Sequence, residues 1–357
     1  MKLPSLVSLS VLAVGSQAAA QEAASKWPAN LQAAGFVDAY YMVNLNQPGT
    51  DMALFRAFDR RDREFALNLA ELAIGSAPEP VGFRIDLDFG PTTEAAHMVE
   101  PGGPEVMKHI QQAYGSAKFD VGRGLTLDVG KFVTHMGQEV IETRDNWNYS
   151  RSLLFTWAIP FYHFGARLST PLSDTLTGAL MVVNGWNNVA DTNERPSLGL
   201  QLAATPSSSL TAYLNYVGGP EQPGNDDDLR HVIDVVAIIT ASDKLTLGVN
   251  GDYGMEKVGD ATMKWFGVAG TGRLAFTDTW AAALRAEWFK DADGFMTATG
   301  VEQSLIEATA TLEAKYGGGL IARLEFRHDH ASEDVFPTDD TPENMQNTVT
   351  LGTVIGF

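Results

Sequence analysis

Residues 280–289 read WAAALRAEWF. Trp280, Ala282, Leu284, Ala286 and Trp288 occupy one parity, and Arg285 and Glu287 fall on the other. A period of two with an apolar face and a charged face is the signature of a half-buried strand. The same pattern recurs along the chain. In VGFRIDLDFG (81–90), Val81, Phe83, Ile85, Leu87 and Phe89 oppose Arg84, Asp86 and Asp88. In LTAYLNY (210–216), Leu210, Ala212, Leu214 and Tyr216 oppose Thr211, Tyr213 and Asn215. In LIARLEFRHD (320–329), Leu320, Ala322, Leu324 and Phe326 oppose Arg323, Glu325, Arg327 and Asp329.

A soluble sandwich would turn the apolar face inward; a membrane barrel turns it to lipid and lines a lumen with the polar face. The segments span ~9–11 residues, the length that crosses a bilayer at a tilt. Their apolar faces carry many small residues, among them Ala282, Ala286, Ala308, Ala310 and Ala314, which lipid tolerates and a packed core does not favour. Strong charges sit in mid-strand, where a water-filled lumen accommodates them. Connectors alternate in length. Short ones lie near 76–80, 122–124, 172–174, 206–209, 242–244, 277–279 and 317–319. Long ones lie near 45–62, 91–109, 135–158, 187–196, 218–230, 255–262, 291–302 and 331–346. This pattern predicts an all-β, antiparallel up-and-down transmembrane barrel of about sixteen strands, with short periplasmic turns and long external loops. Residues 230–241, apolar on both faces, and 53–63 are the ambiguous segments. Trp280 and Trp288 share a face, and at ~3.3 Å per residue and ~40° of tilt they lie ~20 Å apart along the membrane normal, the spacing of two aromatic girdles. The chain ends NTVTLGTVIGF, with Val349, Leu351, Ile355 and the terminal Phe357 on one face and Thr353 departing from apolar alternation. A final strand ending in an aromatic residue reads as an assembly signal for the barrel-assembly machinery.

The amino terminus agrees with export. Lys2 precedes an apolar stretch, SLVSLSVLAVGS (5–16), too short to span a bilayer as a helix, and Ala18-Ala19-Ala20 supplies the small residues of a cleavage site. The sequence therefore divides into a signal peptide (1–20), a short periplasmic segment (21–34) and a barrel (35–357) in the outer membrane of a Gram-negative bacterium, bordered by lipid and lipopolysaccharide. The net charge of −19 argues against nucleic acid as a partner, because phosphate binding needs clustered Lys and Arg. The absence of cysteine removes disulfides, thiolate metal sites and Cys nucleophiles together.

Residues 131–167 read KFVTHMGQEVIETRDNWNYSRSLLFTWAIPFYHFGAR. Gly137 and Glu139 after a strand, the run Asn148-Tyr149-Ser150-Arg151-Ser152, Pro160, and His163 with Gly165 and Arg167 resemble the OmpL-like β-barrel porin family. GFVDAYYMVNLNQP (35–48) is similar to that family's first strand. The resemblance implies a porin without specifying its solute. General porins often assemble as trimers, so a homotrimer is one expectation. In general porins the third external loop folds into the barrel and narrows it. Residues 135–158 hold that place here and carry Glu139, Glu142, Arg144, Asp145 and Arg151. Charges facing each other in a narrow, partly dehydrated space set a transverse field.

By alternation the pore is lined by Arg84, Asp86, Asp88, Arg167, Arg273, Arg285, Glu287, Arg323, Glu325 and Arg327, with Asp128, Asp234, Glu307 and Glu313 among the further lumen acids. Thr311 also faces the lumen, where an arginine would be expected to be tolerated. The acids modestly outnumber the bases, which predicts passive diffusion of small hydrophilic solutes and ions with a weak cation preference. The alternatives are a specific anion or nutrient channel with an uncompensated arginine ladder, a barrel enzyme, and a structural barrel plugged by its loops. His328-Asp329-His330 and the Asn225–Asp228 run read as solvated rim and loop instead of metal sites. No cofactor and no catalytic residue is expected.

Overall fold

The computed structural model describes residues 30–98, 100 and 105–357. The expected signal peptide (1–20) and residues 21–29 lie outside the described residues. Sixteen strands follow in order: β1 (Gln32–Asn44), β2 (Phe65–Ser76), β3 (Val81–Phe89), β4 (Ile110–Phe119), β5 (Leu125–Val133), β6 (Tyr162–Pro171), β7 (Leu176–Val183), β8 (Ser197–Ser207), β9 (Leu210–Gln222), β10 (Asn225–Thr240), β11 (Leu245–Val258), β12 (Ala261–Ala275), β13 (Trp280–Asp291), β14 (Gln303–Tyr316), β15 (Leu320–Ala331) and β16 (Met345–Gly356). Each pairs antiparallel with the next, and β1 pairs with β16 to close a barrel. Closure removes every sheet edge, which a strand fold in hydrocarbon requires. β1 starts at Gln32, three residues before the boundary read from the sequence.

Phe357 completes the seam. Its backbone N–H donates to Gly35 O at 3.0 Å, and Gly35 N–H donates back to Phe357 O at 3.4 Å. The Phe357 ring covers Gly35, where a Cβ would meet ring carbon Cζ at 2.9 Å; a glycine under an aromatic ring is a recurrent pairing device in closed sheets. Thr353, the break in apolar alternation, donates its hydroxyl to Ala39 O at 3.2 Å, so this polar group is satisfied on the lipid face.

The alternation is realised on both faces. Leu284 is 63% exposed on the outside, and its neighbour Arg285 is 2% exposed on the inside. Phe119, Phe276, Trp280, Tyr316 and Phe357 ring the short-turn end, and Phe65, Phe89, Tyr253 and Trp288 ring the other. Replacing Leu284 with Arg puts a charge into lipid near the middle of β13. The expected cost is ~2–4 kcal/mol, read as a lower denaturant midpoint of the heat-modifiable folded band. An unchanged midpoint would contradict the lipid-facing assignment.

Two connections expected as long loops are instead strand. β9 continues to Gln222 and β10 begins at Asn225, while β11 continues to Val258 and β12 begins at Ala261. Gly224 (φ 67°) and Gly259 (φ 61°) supply the left-handed turns. The acidic run that suggested a loop is satisfied across the two hairpins: Asp228 accepts Gly259 N–H at 2.8 Å and pairs with Lys257 at 3.0 Å. Residues 53–63 form no strand beyond the isolated Met52–Arg61 bridge.

Candidate pore constriction and lumen

Residues 134–161, between β5 and β6, enter the barrel. Gly137 (φ 85°) turns the chain inward, where a Cβ would lie 2.5 Å from Ile159 Cδ1, and its N–H donates to Asp234 at 3.1 Å. The Gln138 N–H donates to Asn250 Oδ1 at 3.2 Å, and its side chain donates to Thr271 at 2.8 Å. Arg151 then folds the loop on itself. Its guanidinium donates to Val140 O at 2.8 Å, Tyr149 O at 2.6 Å and Ile141 O at 2.5 Å.

The wall receives the loop through its charges. Glu325 accepts the N–H groups of Tyr149 (2.6 Å) and Ser150 (2.9 Å). Glu287 accepts those of Leu153 (2.6 Å) and Leu154 (3.2 Å), opening the helical turn at Leu154–Ala158. Negative charge at such N–H groups is favourable. Arg323 donates to Thr143 O (2.6 Å) and Asn146 O (2.5 Å), and Arg327 donates to Arg151 O (2.6 Å). Arg285 joins Glu139 (2.7 Å), Glu307 (2.9 Å) and Ser150 O (2.8 Å). Two strands beyond β15, Tyr149 OH (2.7 Å) and Thr143 OH (2.6 Å) donate to Asp38 of β1. Gly352 of β16 leaves room for the Tyr149 ring, which a Cβ would approach to 2.2 Å.

This placement corrects part of the site read from the sequence. Arg151, Arg285, Glu287, Arg323, Glu325 and Arg327 are all buried. The five wall residues face inward as alternation requires, but the loop lies on them, so they anchor it, and Arg151 is committed to the loop's own carbonyls; none borders open water. Thr311 is covered as well, accepting from Asn148 Nδ2 at 2.7 Å and donating to Glu325 at 2.7 Å. Arginine there would collide with the loop, contrary to the expected tolerance. The partly exposed charges are Glu139, Glu142, Arg144 and Asp145 on the loop and Arg84, Arg167 and Arg273 on the wall; Asp86 and Asp88 are buried.

Every wall arginine expected in the ladder has a carboxylate. Arg84 pairs with Asp86 (2.5 Å), Arg167 with Asp128 (2.9 Å), and Arg273 with Glu313 (2.7 Å). Arg323 pairs with Glu313 (2.8 Å), Arg285 with Glu307 (2.9 Å), and Arg327 with Asp329 (2.7 Å). An uncompensated ladder is therefore not formed. On the short-turn side of the loop, a cavity of about 400 Å³ is bordered by Gln138, Asp145, Trp147, Thr271 and Arg273.

Sequence reasoning missed the apolar filling above this crossing. Phe55 and Phe58 from the first long connection meet Phe336, Phe155 and Phe161 inside the barrel. The signal was present in ALFRAF (53–58) and LLFTWAIPF (153–161), apolar runs where solvated loops would be polar. Asp38 and Glu71 were missed too, although each is a lone acid in an apolar strand.

The second long connection also packs inward. After the helical turn α1 (Pro91–Ala96), His97 Nδ1 lies 2.8 Å from Thr93 O, and Nε2 lies 2.7 Å from Lys131 Nζ. The ring therefore donates through Nδ1 and accepts from the ammonium through Nε2, which requires neutral imidazole. Burial, and then the Lys131 charge, hold His97 down to about 4 from its ordinary 6.5. Its contribution is complete above pH 6.5 and is lost as pH falls toward about 4. Residues 91–98 should lose hydrogen-exchange protection across that window. Protection that stays constant would contradict the neutral-His97 latch.

A closed antiparallel barrel with an apolar exterior, a charged lumen and an inward third connection is thus in place. The sequence model of the family described as "Putative beta-barrel porin-2, OmpL-like" matches residues 30–357. The chain belongs to this family. Solved barrels share the fold of this OmpL-like porin at low identity. An anion-selective porin from Comamonas acidovorans is 10% identical, with a TM-score of 0.60 over 92% of this chain and 99% of that one. The outer membrane channel DcaP of Acinetobacter baumannii is 12% identical, with a TM-score of 0.59 over 92% and 97%. A loop L8 deletion mutant of OmpT, an outer membrane protein of Vibrio cholerae, is 11% identical, with a TM-score of 0.59 over 92% and 99%. No curated protein sequence matches the chain. This OmpL-like porin is an outer-membrane barrel of a Gram-negative bacterium.

Proposed function

We propose that the barrel is a passive diffusion channel for small hydrophilic solutes and ions, narrowed by residues 134–161 and weakly cation-selective. The observation that carries this reading is the fixed crossing of the lumen by a loop whose partly exposed charges are mixed in sign. Arg144 lies 3.3 Å from Asp145 and 3.2 Å from Glu71, while Arg167 and Arg84 hold carboxylates across the remaining space. Paired charges give weak selectivity and a transverse field that orders dipolar solutes. The net charge of −19 adds little, because screening acts over ~8 Å and much of that charge lies in exposed connections. The porin family and the likeness to channels support transport over catalysis. Phe357, bonded across the seam, is the proposed signal for the barrel-assembly machinery.

Reversal potentials across a KCl gradient test the selectivity. A modest cation preference is the expected result. A clear anion preference would mean that the arginines act free of their carboxylates, contrary to the pairing above.

A further inference from the structure

The cavity of about 400 Å³ on the short-turn side of the loop is bordered on one side by two rungs of the sheet. In the first, Thr240 of β10 stands opposite Thr246 of β11, which stands opposite Arg273 of β12. In the second, Ile238 stands opposite Gly248, and Gly248 opposite Thr271. Gly248 leaves a notch for the loop, because a Cβ there would lie 2.5 Å from Gln138 Nε2. That nitrogen donates to Thr271 at 2.8 Å, so the Thr271 hydroxyl keeps its own hydrogen to give. The Thr240 and Thr246 hydroxyls take no protein partner among the described residues.

The loop presents Trp147 to the same cavity, half-buried. Trp157, Trp186, Trp265 and Trp288 each pack against another aromatic ring. Trp147 has no such neighbour among the described residues, and its Nε1–H has no acceptor there. An indole combines a large apolar face with one polar handle, and here both are left to whatever fills the cavity. The charges at the border are already matched: Arg273 by Glu313 at 2.7 Å, Asp145 by Arg144 at 3.3 Å, and Glu139 by Arg285 at 2.7 Å. An occupant therefore gains nothing by carrying charge. From the strands it meets three hydroxyls and one apolar side chain, Ile238. A flat aromatic solute would want a second apolar face and would leave those hydroxyls unanswered. A pyranose ring has a C–H face to lay on an indole and a rim of hydroxyls that, like threonine's, both donate and accept. The cavity falls within the ~300–1,000 Å³ of small-molecule sites.

We propose that Trp147, with Thr240, Thr246 and Thr271, forms a stacking subsite for uncharged saccharides. The inference rests on the channel reading and gives it a solute class.

The test uses the full barrel, with D-glucose as probe and D-mannitol, equally hydroxylated but without a ring, as its comparison. In detergent, glucose should change the tryptophan emission saturably and mannitol should not. The change should vanish in Trp147→Phe. In planar bilayers, glucose should reduce the current of the wild type with a saturating dependence. Trp147→Ala should raise the half-blocking concentration ~tenfold, whereas Trp147→Phe should stay close to wild type. Thr240→Val/Thr246→Val should raise it severalfold. Heat-modifiable migration checks that each variant is folded. A conducting barrel in which glucose acts no differently from mannitol, or in which its effect survives Trp147→Ala, would overturn the subsite and leave the channel. A saturable response to N-acetyl-L-tyrosinamide without one to glucose would overturn the saccharide assignment. A barrel that binds glucose through Trp147 but passes no current would uphold the subsite and remove the channel reading.

Discussion

Deleting residues 139–151 should raise single-channel conductance severalfold. The two ends of this segment already meet, because Glu139 Oε2 accepts Ser152 N–H at 2.6 Å, so a short Gly linker can join Gln138 to Ser152 without moving the wall. The deletion removes the stretch from Glu139 through Arg151 that bonds β1, β13, β14 and β15. Lumen water can then hydrate Arg285, Glu325 and Arg327, which limits the loss of barrel stability. Conductance that stays at the wild-type level would place the loop outside the conduction path.

The largest single-residue effect on stability is expected at Arg285. Its guanidinium serves Glu139, Glu307 and Ser150 O together, with Glu287 at 3.8 Å. Arg285→Met leaves the buried Glu287 and Glu307 with Arg327, 3.8 Å from Glu307, as their remaining cation and strips Glu139 of its partner, a change that costs ~3–5 kcal/mol. The same variant should give noisier open-channel current, because the loop loses its hold on β13. Adding Glu307→Gln removes one stranded charge and should restore part of the stability, so the two substitutions are non-additive. Denaturant midpoints of the wild type, both single variants and the double variant measure this. A loss well below the expected range, with additive effects, would mean that water reaches the cluster.

Much of the barrel was legible because period two fixes which face each side chain takes. Leu284 and Leu324 outside, with Arg285 and Arg323 inside, follow from alternation alone. Turn chemistry was less legible. The Asn225–Asp228 run looked like a solvated loop, yet Asp228 is satisfied by Lys257 and Gly259 at the tip of the next hairpin, 31 residues on from Asp228 at Gly259, beyond the reach of local turn signals. The site divides in the same way. Alternation put Glu287 and Glu325 in the lumen but carried no information on what covers them; only the fold shows them accepting backbone N–H groups of the loop. The run Asn148–Ser152 drew attention by resemblance, and its geometry explains the residue types. Asn148 bonds Thr311 of β14 and Tyr149 bonds Asp38 of β1, while Arg151 satisfies carbonyls that the tight loop leaves unpaired.

Single-channel recording of the unmodified barrel in a planar bilayer tests the central claim most directly. A passive pore crossed by a fixed loop predicts discrete, ohmic current steps, each severalfold smaller than those of the barrel lacking residues 139–151. A folded, inserted barrel that gives no steps, while the deleted form conducts, would show that the loop and the aromatic filling above it seal the lumen and that the protein is not a diffusion channel.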